Sequence, residues 1–271
     1  MNFLDPLFQL KAIIALAVIS AISLKFKLLD RDGVLASIPI GYVIITFGSL
    51  EYFVILLIFF SVSGAATKLR VKKLGANFLE KDWIRTWKNV LANGLAPALI
   101  LLAGIAQNPS KLVIAAGYFG AVGTAFADTL ATEIGLLYPR DPRLITSFKK
   151  VERGTPGAVS PYGYLGGLAA SASMCGLACA FKIGDPKILV AVFLASLVGM
   201  TIDSILGATI QAKYKCGICG KLTEKSRHCG QPASKVSGVK IINTHVVNLI
   251  STMIGATISV FIFTTLSYQT L

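Results

Sequence analysis

Two carboxylates five residues apart, Asp128 and Glu133, stand inside an otherwise apolar run that reads AVGTAFADTLATEIG from Ala121 to Gly135. A carboxylate near the middle of a membrane helix costs roughly 2.5–3.5 kcal/mol on insertion scales, so such residues face a protein interior or a polar cavity and mark function. A third carboxylate, Asp203, lies in another apolar run, followed by Ser204 and Thr209. Its Asp-Ser-x-x-Gly-Ala-Thr pattern echoes the Asp-Thr-x-x-Thr-Glu of the first run. Three carboxylates with neutral oxygens from Thr129, Thr132 and Ser204 suit Mg²⁺, a hard cation often held by carboxylates plus substrate phosphates. On a straight helix Asp128 and Glu133 are about 140° apart. Sharing one ion therefore predicts a helix broken or unwound near Thr129–Thr132, or direct metal contact by only one of the two acids.

A second stretch suits anions. Between Ser147 and Gly167 the chain reads SFKKVERGTPGAVSPYGYLGG, with Lys149, Lys150 and Arg153 leading into Gly154-Thr155-Pro156-Gly157. Ser160 followed by Pro161 is an N-cap and first-turn signal. A basic, glycine-containing loop feeding a helix N-terminus offers cations, backbone N–H groups and the helix dipole to a phosphate. It is not a Walker A loop, because GxxxxGK[ST] is absent. Asn93, Asn243 and Asn248 are polar residues at the ends of two other apolar runs and could join the same pocket. A third constellation, Cys216-Gly-Ile-Cys219 followed by His228-Cys229, has the form of a structural zinc knuckle. Its departure is that His228 and Cys229 are adjacent.

These groups must be positioned by membrane helices. The chain has 271 residues, of which 54% are hydrophobic and only 14% charged, with a mean hydropathy of +0.71. Soluble domains carry about 25% charged residues. Continuous apolar runs without period-two alternation exclude a β-barrel. Candidate spans cover about 8–24, 33–49, 51–67, 90–106, 112–137, 161–182, 187–211 and 243–268. The expected fold is an all-α polytopic membrane protein of about eight spans in a single transmembrane domain, residues 1–271. The second span, interrupted by Gly33, Pro39, Gly41 and Gly48, is a candidate for a bent or re-entrant segment.

The net charge of +13 would suggest nucleic acid in a soluble protein. Here 22 of the 26 Lys and Arg fall in the four loops 24–32, 68–89, 138–160 and 212–240. That is the positive-inside pattern, and nucleic acid is not implied. Eight spans place all four loops on one side, expected to be cytoplasmic in the cell membrane, with both termini outside. Trp83 and Trp87 suggest an amphipathic segment in the second loop. Gly163 and Gly167 form a GxxxG pair that could pack helices within one chain or between two copies in a homodimer.

Five ordered motifs carry a family resemblance: VLANG at 90–94, ADTLATEIG at 127–135, KVERGTPGAVS at 150–160, DSILGATIQ at 203–211 and NTHVVNL at 243–249. On these the chain resembles the integral membrane family of domain of unknown function 92, which includes plant phytyl-phosphate kinase and animal transmembrane protein nineteen. ADTLATEIG and KVERGTPG are also distantly similar to the CTP-dependent dolichol and phytol kinases. The resemblance implies transfer of a phosphoryl group from a nucleoside triphosphate, CTP above all, to a prenyl monophosphate. It assigns metal or phosphate roles to Asp128, Glu133, Lys150, Gly154, Thr155, Gly157 and Asp203. Two other readings share the carboxylates: a cation- or proton-coupled transporter, and a cytidylyltransferase that makes a CDP-lipid. A transporter has no need of the basic glycine loop.

Overall fold

The computed structural model describes residues 5–75, 84–107, 109–183 and 185–269. Its helices are α1 (Pro6–Lys25), α2 (Arg31–Val43), α3 (Leu50–Leu74), α4 (Trp87–Gln107) and α5 (Lys111–Gly135). After them come α6 (Pro161–Ala180), α7 (Pro186–Thr209) and α8 (Thr244–Tyr268). Seven are long and apolar enough to cross a membrane. The exception, α2, is continued by a π-helical turn at Ile44–Gly48. Pro39 inside α2 lacks the N–H that would bond back to residue 35, a known cause of helix irregularity. Gly33 at the start of this segment lies against Arg85 and Gly48 at its end against Leu101. The segment therefore runs the length of α4's inner half, and the expected irregularity takes the form of a π turn.

α5 is the hub. It packs against α3, α4, α6, α7 and α8, and most of its apolar window is buried. Small residues make this possible. Gly199 of α7 and Gly255 of α8 both face Thr124, and a Cβ on either would overlap the threonine side chain. Gly163 lies against Gly135, and Gly167 against Met200, so the GxxxG pair packs within the chain. On its outer side α5 meets α3 through Tyr118, Phe119 and Phe126, which stack with Tyr52 and Phe59.

Two features depart from the sequence-based reading. First, α5 is an unbroken α-helix through Thr129–Thr132; sixteen of its residues are buried, and packing on all sides leaves no cause for unwinding. Second, α3 runs seven residues beyond the apolar stretch that ends at Thr67. Lys68, Arg70, Lys72 and Lys73 are good helix formers, and cations in a last turn are favoured by the helix dipole. Trp83 lies outside the described residues, while Trp87 opens α4.

All four basic loops meet at one end. Asp30 donates its N–H to the Arg85 carbonyl and Arg85 donates to Leu28, joining the first loop to the second. The third loop carries the paired strands β1 (Arg143–Leu144) and β2 (Ala158–Val159). The fourth forms a small β module: β3 (Lys213–Lys215), β4 (Leu222–Thr223), β5 (Arg227–His228), β6 (Gln231–Pro232) and β7 (Ser234–Ser237). In it β3 pairs with β4 and β7, and β5 with β6.

Candidate active site

A cavity of about 620 Å³ opens where these loops converge. Its walls come from α3, α4, α5, α6, α7 and α8, and residues 152–160 and 219–229 close over it. At its base the carboxyl groups of Asp128 on α5 and Asp203 on α7 are within hydrogen-bonding reach of each other. The Ser251 hydroxyl on α8 donates to Asp203 Oδ2 at 2.8 Å. Thr132, Ser204 and Asn248 also line the wall. Thr129 lines it too, but its hydroxyl donates back to the Ala125 carbonyl at 2.8 Å. Two carboxylates this close repel when both are ionised. A hard divalent cation between them would remove that repulsion, and the surrounding neutral oxygens match its preferences. The donor set fits Mg²⁺.

Glu133 is placed differently from the expected three-acid cluster. It lies on the far face of the same helix, consistent with the 140° offset on an unbroken helix. There its carboxylate pairs with the Arg70 guanidinium and accepts a hydrogen bond from Thr67 Oγ1 at 2.8 Å. Arg85 adds a second positive charge beside it. Burial pulls the Arg85 guanidinium below its ordinary pKa, and Glu133 pushes it back up. So the cavity has two ends. Asp128 and Asp203 form the acidic one, while Arg70 and Arg85 form a cationic one from which Glu133 removes only part of the charge.

The glycine loop folds over the acidic end. Arg153, Gly154, Thr155, Gly157 and Ser160 line the cavity; Lys149 and Lys150 are exposed on the outer edge and do not. Arg153 is thus the loop's basic side chain on the cavity, with the acidic Glu152 beside it. Ser160 caps α6 by accepting from the Gly163 N–H at 3.1 Å, and Thr155 Oγ1 donates to the Glu152 carbonyl at 2.7 Å. Both hydroxyls shape the loop. Gly157 has φ +79°, and a Cβ there would run into the Ala208 backbone one turn beyond Asp203. Gly157→Ala is therefore expected to lift the loop off α7. The backbone strain alone is roughly 1–2 kcal/mol. Hydrogen exchange in residues 152–160 should rise; wild-type exchange in this loop would show that the contact with α7 does not hold it.

The β module is the cavity's roof. Cys219, Lys221, Glu224, Lys225, His228 and Cys229 face the space below. Gln211, buried at the end of α7, donates from Nε2 to Glu224 at 3.0 Å and anchors the module. Cys216, Cys219, His228 and Cys229 offer ligand atoms that all lie within 4.8 Å of one another, so the cluster could hold a metal ion. The backbone N–H of Cys219 and then the His228 side chain bring the Cys216 thiol down to about 6, while hydrogen bonding to the Cys219 side chain pushes Cys229 up to about 11. A metal ion bound here would take its sulfur ligands as thiolates.

Several residues of the site and its support were not singled out from sequence. Arg70, Arg85, Lys221 and Lys225 are indistinguishable by composition from cations that only orient loops. Ser251 carries no signal beyond its place seven residues into a helix that opens with a polar cluster. Asn243 falls outside the lining: it caps α8, accepting from His245 and Val246 at 3.0 and 3.2 Å. Asn93 lines the cavity from α4.

With this geometry in view, the comparisons with known proteins define the class. Residues 14–256 match the family described as integral membrane protein DUF92, and the chain belongs to that family. Protein PGR of Arabidopsis thaliana is 34% identical over 290 residues, covering 96% of this chain and 99% of that protein. Uncharacterized membrane protein MJ0933 of Methanocaldococcus jannaschii is 31% identical over 94% of both chains. The chloroplastic protein VTE6 of Arabidopsis thaliana is 26% identical, covering 86% of this chain and 64% of that protein. No solved structure matches.

Proposed function

We propose that the protein is a membrane-embedded prenyl-phosphate kinase. It would transfer the γ-phosphoryl group of a nucleoside triphosphate, CTP by the resemblance, to a prenyl monophosphate of the phytyl or geranylgeranyl type. The observation that carries this reading is the pairing of Asp128 and Asp203 at the base of a cavity whose other walls bear Arg70, Arg85, Arg153, Lys221 and Lys225. A transporter coupled to cations uses intramembrane acids but needs no such set of basic side chains facing them. The family's inclusion of plant phytyl-phosphate kinase supports the same choice.

In the reaction an oxygen of the acceptor phosphate attacks the γ-phosphorus, the bond to the β–γ bridging oxygen breaks, and the nucleoside diphosphate leaves with that electron pair. No general base is required, because the attacking oxygen is already anionic. The protein's work is therefore to position two polyanions and offset their charge. Mg²⁺ held by Asp128 and Asp203 would neutralise charge on the nucleotide phosphates. Arg153 and the loop backbone would hold the nucleotide from one side, with Lys221 and Lys225 above it. Arg70 and Arg85 would hold the acceptor's phosphate on the other. The loop-bearing end would face the cytoplasm, a placement that its lysines and arginines support.

Zn²⁺ is the metal proposed for the Cys216, Cys219, His228 and Cys229 cluster, with a structural role in the roof. The protein should purify with one equivalent of zinc, and chelation should loosen residues 212–240 in hydrogen exchange before the bundle melts. Zinc well below one equivalent in carefully purified protein would remove the assignment.

The functional test incubates purified protein with Mg²⁺, each of the four nucleoside triphosphates and geranylgeranyl or phytyl monophosphate, then separates the lipids. Prenyl diphosphate plus nucleoside diphosphate is the expected product pair. A CDP-lipid with pyrophosphate would instead make the protein a cytidylyltransferase, and absence of nucleotide turnover with every acceptor would exclude both enzymes.

A further inference from the structure

A second cavity, of about 100 Å³, lies between α1, α2, α3 and α4. Its walls are apolar, with Leu16, Ile19, Ile40, Phe53, Leu56 and Phe60 prominent. Arg85, Asn89 and Asn93 belong to this slot and to the polar cavity alike, so the two chambers meet at those three residues. The guanidinium of Arg85 sits 5.9 Å from the centroid of the Phe60 ring, a cation at the end of an apolar passage. Asn93, 9% exposed, has an Oδ1 with no hydrogen-bond partner among the described residues. The Asn93 amide thus has unused hydrogen-bonding capacity, and with its ends exchanged its Nδ2 could donate to an anion at this junction. α3 leans on α5 and on the π turn, while α4 packs on α2 and α5, which leaves the space between α3 and α4 to this slot.

A polar chamber whose Arg70 and Arg85 stand next to an adjoining apolar slot suits an anionic head group on a hydrocarbon chain. We propose that the slot between α1, α2, α3 and α4 receives the head-proximal part of the acceptor's isoprenoid chain, with its phosphate at Arg85 and Arg70. The identity of the chain as isoprenoid rests on the kinase reading; the position of the slot does not. At this size it holds only the segment next to the phosphate, since sites that enclose a whole ligand run to about 300–1,000 Å³. The remaining chain lies along the exposed apolar faces of the helices. In this arrangement α1 is a wall of the lipid site in addition to a membrane span.

The test is photolabelling with geranylgeranyl monophosphate that carries a diazirine in the isoprene unit next to the phosphate. The wild-type protein in nanodiscs is irradiated and the adducts are mapped by peptide mass spectrometry. Labelling should fall on α1 around Leu16–Ser23 and on α3 around Leu56–Phe60, and unlabelled geranylgeranyl monophosphate should compete it away. Ser20→Trp, which fills the slot from α1, should reduce labelling roughly tenfold, equivalent to a tenfold weaker dissociation constant. Ser37→Phe fills it from α2 and serves if the first variant fails to fold. Competed labelling confined to α6, α7 or α8 would overturn the proposal, as would full labelling of both folded variants. Equal competition by a straight-chain lysophosphatidate would overturn the isoprenoid assignment. Labelling reads occupancy without turnover. A protein that labels in the slot yet phosphorylates no prenyl phosphate contradicts the kinase, whereas one that phosphorylates but labels elsewhere contradicts the slot.

Discussion

Asp128→Asn and Asp203→Asn should each lower turnover by about a thousandfold, the loss typical of removing one preorganised electrostatic contact to a transferring group. Each substitution keeps the shape of the side chain and removes one negative charge. The Ser251 hydroxyl, now 2.8 Å from Asp203 Oδ2, can still donate to an amide oxygen, so the α7–α8 contact survives. What is lost is the pair of adjacent charges that a divalent cation would bridge. The measurement is kcat at saturating Mg²⁺ alongside a melting curve of the detergent-solubilised protein. Both variants should melt close to wild type. Wild-type turnover in either would end the metal-pocket reading.

Glu133 should behave in the opposite way. Its side chain and that of Arg70 are about a tenth exposed, so removing one partner strands a buried charge. Breaking a buried pair costs about 3–5 kcal/mol, more than most single substitutions. Glu133→Ala should therefore lower the melting temperature sharply, whether or not Mg²⁺ is present. Arg70→Met should do likewise. The double variant Glu133→Leu with Arg70→Met replaces the pair by apolar groups and should recover much of the stability, since such replacement is often neutral or better. It should remain poorly active, because Arg70 is also proposed to hold the acceptor phosphate. A fully active double variant would show that Arg70 does not hold the acceptor phosphate. A Glu133→Ala variant as stable as wild type would show that the charge on Arg70 is satisfied elsewhere.

Much of this arrangement was legible before any coordinates. Apolar runs and the distribution of lysine and arginine located the helices to within a few residues, because both signals follow directly from the cost of placing charge in hydrocarbon. The tail of α3 was not, since charged residues beyond an apolar run look alike whether they continue the helix or begin a loop. Arg70 and Arg85 were hidden for that reason. Glu133 shows a different limit. Its type and position marked a buried polar site, and helix geometry already set it away from Asp128, yet the choice between sharing a cation and pairing with a guanidinium depends on which helix faces it. Only the α3–α5 packing supplies Arg70. The four Cys and His residues of the fourth loop were spaced for a common ligand, and their convergence follows from the short β3–β4 and β5–β6 turns. Their position over the cavity depends on Gln211 and Glu224, a contact no local pattern announces.

The central claim is a γ-phosphoryl transfer at Asp128 and Asp203, and one labelling experiment addresses it most directly. Purified protein with Mg²⁺ and geranylgeranyl monophosphate is given CTP radiolabelled either at the γ- or at the α-phosphorus. The expected result is label in the lipid from γ-labelled CTP only, lost in Asp128→Asn. Label carried to the lipid from the α position, or γ-label transferred at the wild-type rate by Asp128→Asn, would contradict it.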